Sequence, residues 1–212
     1  QVEPGQRTFT FARAHTIAVG QAVAYDLELV LTDLSQLSQQ LGVELAGILG
    51  YVWMEQFIFE IDYAREQLTL WPRQVEFIPP ADTLPVPLEV HTGPGFTGAA
   101  LFVPGQLNDE VTCKCELDTG ADVGTLGAAV AQRLGAALAT ARRAYAVRTL
   151  RLGGRLFANV SFLVDPERGA DGNPYLQCVI GNDKLKEFVL TLDIAHRRAF
   201  FRPQLMPTQS KP

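Results

Sequence analysis

The chain has 212 residues, 47% of them hydrophobic, which is enough apolar mass for ordinary globular cores without covalent staples. A net charge of −5 with no run of Lys or Arg excludes nucleic acid as the main partner, because phosphate recognition needs clustered basic residues. No apolar stretch is long enough to insert the visible chain into a membrane, and three cysteines are too few and too odd in number for a disulfide framework.

Along the chain, residues 16–20 lead through a glycine turn into an alternating strand at 23–31, and residues 35–40 read as a short polar-faced helix. The proline-rich segment 79–87 is too stiff to continue a strand or helix and reads as a linker. Residues 86–91 form a plausible strand. Gly93 to Gly98 then match the spacing of a dinucleotide fingerprint, but residues 99–104 read as another strand where the fingerprint needs a helix, so a glycine-rich hairpin is expected.

Residues 111–117 carry β-formers and small apolar side chains with Gly and Pro only at the flanks, the composition of a strand. That strand delivers Asp118-Thr119-Gly120-Ala121-Asp122 into a tight turn, and residues 125–135 read as a short helix closed by a glycine. An alternating strand at 156–164 contains a formal glycosylation acceptor, Asn159-Val160-Ser161. Residues 176–181 form an apolar strand ending in Gly181, and Asn182 to Leu185 can open another short helix. The tail, 204–212, is polar and proline-containing, and is expected to be poorly ordered.

Cys113 and Cys115 alternate onto one face of their strand, and Cys178 lies on the strand leading to Gly181. The sequence neither requires nor excludes a Cys115–Cys178 bridge. His15, His91 and His196 are isolated and no fourth ligand stands at a recognisable spacing, so no metal site is expected. No serine sits in a nucleophile-elbow turn and no cysteine has a catalytic signature.

Asp118-Thr119-Gly120-Ala121, followed later by Val179-Ile180-Gly181, resembles the paired motifs of the retropepsin-like aspartic proteases over residues 85–203. The resemblance implies a mostly β fold of acid-protease lobes with short helices, and an aspartic endopeptidase in which Asp118 is one catalytic carboxylate of a dyad. Thr119 would lock the two active-site turns together and Gly120 would permit the turn. Ala121 and Asp122 match a continuation in which the Asp holds substrate backbone, although a turn or helix-start carboxylate accounts for Asp122 equally well. The implied partner is a peptide or protein substrate, with no metal or organic cofactor. Bacterial relatives of this type are often exported, which points by resemblance to a periplasmic or secreted location. The chain departs from the family in two places: residues 136–147 are short and lack glycine where a flap is usual, and Asn182 stands where retroviral enzymes carry an Arg.

An internal repeat underlies the domain map. Residues 50–64 run without a gap against 181–195, with Gly, Phe, Asp and Ala coinciding, and Thr16 to Gly20 match Thr149 to Gly153. This predicts the C-terminal part of a first lobe at 1–78, the linker at 79–87 and a nearly complete second lobe at 88–203. The 133-residue offset between Gly20 and Gly153 would put the counterpart of Asp118 about fifteen residues before Gln1, so the second catalytic aspartate is expected upstream of the visible chain. Two alternatives stand beside this one: a homodimer using Asp118 from each copy, and a non-catalytic peptide-binding module whose first lobe never carried an aspartate.

Overall fold

The computed structural model describes residues 10–81, 83–92, 99–137 and 141–204. The glycine-rich hairpin expected at 93–98 and the tail expected beyond 204 lie outside the described residues. The chain divides into two compact units, one ending at Phe57 and the other beginning at Ile58.

In the first unit, β1 (Thr10–Val19) and β2 (Ala22–Leu31) form an antiparallel hairpin turning at Gly20, whose φ of 59° suits a residue without a Cβ. Helices α1 (Ser35–Leu41) and α2 (Tyr51–Met54) follow. Trp53 is buried and its indole N–H donates to the Ile17 carbonyl, while the Gln56 side chain bonds both the N–H and the carbonyl of Tyr25. Burial in this unit is sparse: Phe11, Tyr25, Leu31 and Ile48 are all more than half exposed.

The second unit opens within β3 (Phe57–Asp62), whose first residue ends the first unit, and continues with β4 (Gln67–Pro72), β5 (Pro85–Pro87), β6 (Glu89–Thr92), β7 (Ala99–Leu107) and β8 (Val111–Leu117). It continues through β9 (Thr125–Gly127), α3 (Ala128–Arg133), β10 (Arg143–Leu152) and β11 (Arg155–Asp165). The last elements are β12 (Cys178–Ile180), α4 (Asn182–Leu185), β13 (Phe188–Asp193) and β14 (Arg198–Pro203). Strands β10, β11, β9, β12, β8 and β7 pair in that order and β7 pairs back onto β10, closing a six-stranded barrel with β6 added outside β7. Closure leaves no free edge among the barrel strands. Phe102, Phe162, Leu107, Leu126, Leu150 and Ile180 are fully buried.

A second sheet runs β4-β3-β13-β14-β5. Its central pair, β3 and β13, is antiparallel with Glu60 opposite Thr191, and the Thr191 hydroxyl donates to the Glu60 carboxylate at 2.9 Å. Hairpin β3–β4 is therefore hydrogen-bonded within the second unit, and the division between units falls at its first residue, Phe57.

Three local expectations differ from the structure. The helix expected at 125–135 begins only at Ala128, because Thr125–Gly127 is drawn into the barrel as β9, parallel to β11. The linker expected at 79–87 ends as a strand: β5 pairs with Arg198 to Phe200, and its two prolines are tolerated at a sheet edge where a missing N–H costs no ladder bond. The strand expected at 86–91 is split at Leu88, whose N–H turns to the Arg197 carbonyl.

Candidate active site

Strand β8 alternates inward Val111, Cys113, Cys115 and Leu117 with more exposed residues, and the chain leaves the barrel at Asp118. Parallel pairing with β12 sets Leu117 beside Ile180, and the Asp118 N–H donates to the Ile180 carbonyl at 3.1 Å. The turn closes on itself through two further bonds. The Ala121 N–H donates to the Asp118 carbonyl, and the Gly120 N–H donates to Asp118 Oδ1 at 2.8 Å. Asp118 is half-buried, with Thr119 and Gly120 exposed beyond it.

The turn is laid against the segment that follows β12. Asn182 N–H donates to the Ala121 carbonyl at 2.8 Å and Asp183 N–H to the Asp122 carbonyl at 3.0 Å. Asn182 Nδ2 donates to the Thr119 carbonyl at 2.7 Å, and Asp183 Oδ1 accepts from the Gly124 N–H. Gly181 makes this approach possible, since a Cβ there would come within 2.8 Å of the Ala121 oxygen. Asn182 is held in turn by the Tyr63 hydroxyl, which donates to its Oδ1 at 2.9 Å; burial pushes the Tyr63 phenol up.

The expected site residues Asp118, Thr119, Gly120, Ala121 and Asp122 therefore form one continuous turn whose backbone is fixed from outside by Ile180, Asn182 and Asp183. The chain's sole Asp-Thr-Gly is the one at Asp118. Neighbouring Glu116 lies on the same strand and forms an ion pair with Arg168 at 2.5 Å. Burial raises the Glu116 carboxyl, Arg168 opposes that rise, and the Asp118 charge adds to it. Sequence reasoning missed Tyr63, Asp183 and Arg168 as parts of this surround. Chemically, the turn presents a half-buried carboxylate with its orientation set by a backbone N–H, the form in which a carboxyl group can hold a water or accept its proton.

No protein-family model and no curated protein matches the chain. Among solved structures it is similar to a retropepsin-like aspartic protease from Rickettsia conorii, at 17% identity and a TM-score of 0.41 over 60% of this chain and 96% of that one. It is also similar to the retroviral protease-like domain of Ddi1 from Leishmania major, at 21% identity and a TM-score of 0.35 over 53% of this chain and 95% of that one. The fold class stands on the chain's own strands: mostly β, with a closed barrel and short helices.

Proposed function

We propose that this chain supplies one half of an aspartic endopeptidase site, with Asp118 as one of two carboxylates that share a proton around a water. Two carboxylates that close cannot both ionise. The ionised member takes a proton from the water as it attacks the scissile carbonyl, and the protonated member donates a hydrogen bond to the carbonyl oxygen as negative charge develops there. Ala121 and Asp122, at the exposed end of the turn, would meet the substrate backbone. The observation that carries this reading is the fixation of the Asp118 turn by backbone bonds to Ile180, Asn182 and Asp183.

The second carboxylate, on this reading, comes from a segment preceding residue 1 in a duplicated, two-lobed protein. What supports duplication is the coincidence of elements at constant offsets. Helix α2, β3 and β4 each have the bounds of α4, β13 and β14 shifted by 131 residues, and Glu66 and Arg197, equivalent at that offset, both have positive φ. Hairpins β1–β2 and β10–β11 correspond at 133. Both turn at a glycine with positive φ, and both skip a pair in their register, at His15 and Asp26 in one and Arg148 and Asn159 in the other. Asp26 and Asn159 each have φ of 53°. Glu60 and Thr191 are equivalent at 131 and also pair with each other, as a two-fold relation within the sheet requires. On this reading β3 and β13 are the strands by which the two lobes join, so a second copy pairing at that edge of β13 would have to displace β3.

The test is binding of a statine-containing peptide, which places a hydroxyl where the attacking water sits, to the protein expressed from its whole open reading frame. Calorimetry is expected to show stoichiometric binding that weakens at least tenfold in Asp118→Asn. Equal affinity for both forms would overturn the assignment of Asp118.

A further inference from the structure

Cys113, Cys115 and Cys178 are the chain's only cysteines, and their sulfurs all lie within 4.8 Å of one another. Cys115 and Cys178 are register partners on the parallel strands β8 and β12, with Sγ atoms 3.0 Å apart and neither residue exposed. Cys113 Sγ stands 3.8 Å from that of Cys115. Gly105, across from Cys113 on β7, leaves the space that the Cys115 sulfur fills; a Cβ there would overlap it. Of the three, Cys113 borders a cavity of about 430 Å³, together with Glu89, Phe102, Lys114 and Gln177.

The peptidase chemistry uses none of these thiols. A metal ion would need all three thiolates in a site whose strand neighbours are the buried Val103 and Leu126, and no fourth ligand joins the cluster among the described residues, whereas a disulfide buries no charge. Backbone spacing selects one pair. Register partners on adjacent strands sit about 4.8 Å apart, inside the range a disulfide spans, while residues two apart on one strand are about 6.6 Å apart, at its upper limit.

We propose that Cys115 and Cys178 form an intramolecular disulfide when the protein meets a hydroperoxide, with Cys113 as the thiol that receives the oxidant. The Cys113 thiolate attacks a peroxide oxygen, the O–O bond breaks, and hydroxide leaves to become water, giving a sulfenic acid. The Cys115 sulfur then attacks the Cys113 sulfur; the S–O bond breaks, and the hydroxyl departs with the Cys115 proton as a second water. Cys178 next attacks Cys115 Sγ, forming Cys115–Cys178 and releasing Cys113, which recovers the Cys178 proton. Two thiols and one hydrogen peroxide give one disulfide and two waters. The titration of the cluster agrees with this order: hydrogen bonding with Cys115 and then Cys178 holds the Cys113 thiol down, while the thiols of Cys115 and Cys178 both move up.

The bridge would staple together the strands that run into Asp118 and Gly181, joining residues 63 apart in sequence. It rests on the cysteine geometry alone and stands whether or not the protein is a peptidase. The test treats the reduced protein with one equivalent of hydrogen peroxide, alkylates remaining thiols in denaturant, and maps tryptic peptides without reduction. Cleavage after Lys114 separates Cys113 from Cys115, so the bridge can be assigned unambiguously. The expected product carries a Cys115–Cys178 cross-link with Cys113 alkylated, and a Tm higher by about 5 to 10 °C that dithiothreitol reverses. Cys113→Ser should form the same cross-link at least tenfold more slowly. Three alkylated thiols, a terminal Cys113–Cys115 bridge or a sulfinic acid at Cys113 would overturn the inference, and an unchanged rate in Cys113→Ser would overturn the role of Cys113.

Discussion

Asn182 does at residue scale what the turn cannot do for itself: its side chain holds the Thr119 carbonyl, and its N–H holds that of Ala121. Asn182→Ala is expected to cost about 1 to 2 kcal/mol in urea unfolding, by leaving the Thr119 carbonyl and the Tyr63 hydroxyl without that partner. Gly181→Ala should cost about 1 to 3 kcal/mol, because its methyl would press on the Ala121 oxygen and on Val123, both of them backbone that side-chain repacking cannot move aside. Asp118→Asn keeps an oxygen for the Gly120 N–H and should leave Tm nearly unchanged. The turn was legible in the sequence because its residues are contiguous and their types are those a bend requires. Tyr63 and Asp183 were not, since they lie 119 and 59 residues from the groups they bind and carry no local signal.

At the scale of elements, carboxylates tie strands to their neighbours. Glu89 on β6 is held below its usual range by the hydrogen bond from Lys114 on β8, and then by the Tyr175 hydroxyl. At Asp62 and Asp165, burial pushes the carboxyl up, but hydrogen bonds outweigh it, from Arg65 and Gln204 in one case and from Glu167, Arg142 and Arg168 in the other, so both end low. A depressed folded pKa stabilises above the unfolded value, about 3.9 for Asp and 4.3 for Glu, and that stability is lost as pH falls through the folded pKa. Glu116, raised by burial, works in the opposite sense, stabilising most at low pH and losing that contribution as pH rises through its folded pKa. With three groups against one, Tm should hold between pH 7 and 5 and fall below about pH 4, and the stability gap between wild type and Asp62→Asn should shrink over that fall. A Tm that rises on acidification below pH 4 would contradict this balance. The elements themselves were legible where periodicity was long, as in β8 and β11. They were not legible in β5 and β9, three-residue strands whose existence depends on partners far along the chain.

At the scale of the molecule, the alignment of residues 50–64 with 181–195 carried no sign that β3 and β13 pair in one sheet. Sequence similarity reports equivalence and carries no information on which equivalent edges meet. The shared sheet makes a prediction for native-state hydrogen exchange: the amides of β3 that bond to β13 should exchange with the slow core of the second unit, and those of the exposed β1–β2 hairpin should exchange sooner. Exchange of β3 together with β1–β2 would place that hairpin in the wrong unit.

The measurement that bears most directly on the function is hydrolysis of a diverse peptide library by the protein expressed from its whole open reading frame, from acid to neutral pH, with and without Asp118→Asn. The proposed dyad predicts cleavage with a bell-shaped pH dependence, blocked by pepstatin-type inhibitors and reduced at least a thousandfold in Asp118→Asn while Tm is preserved. Cleavage that persists in Asp118→Asn, or no cleavage at any pH by a folded wild-type protein, would contradict it.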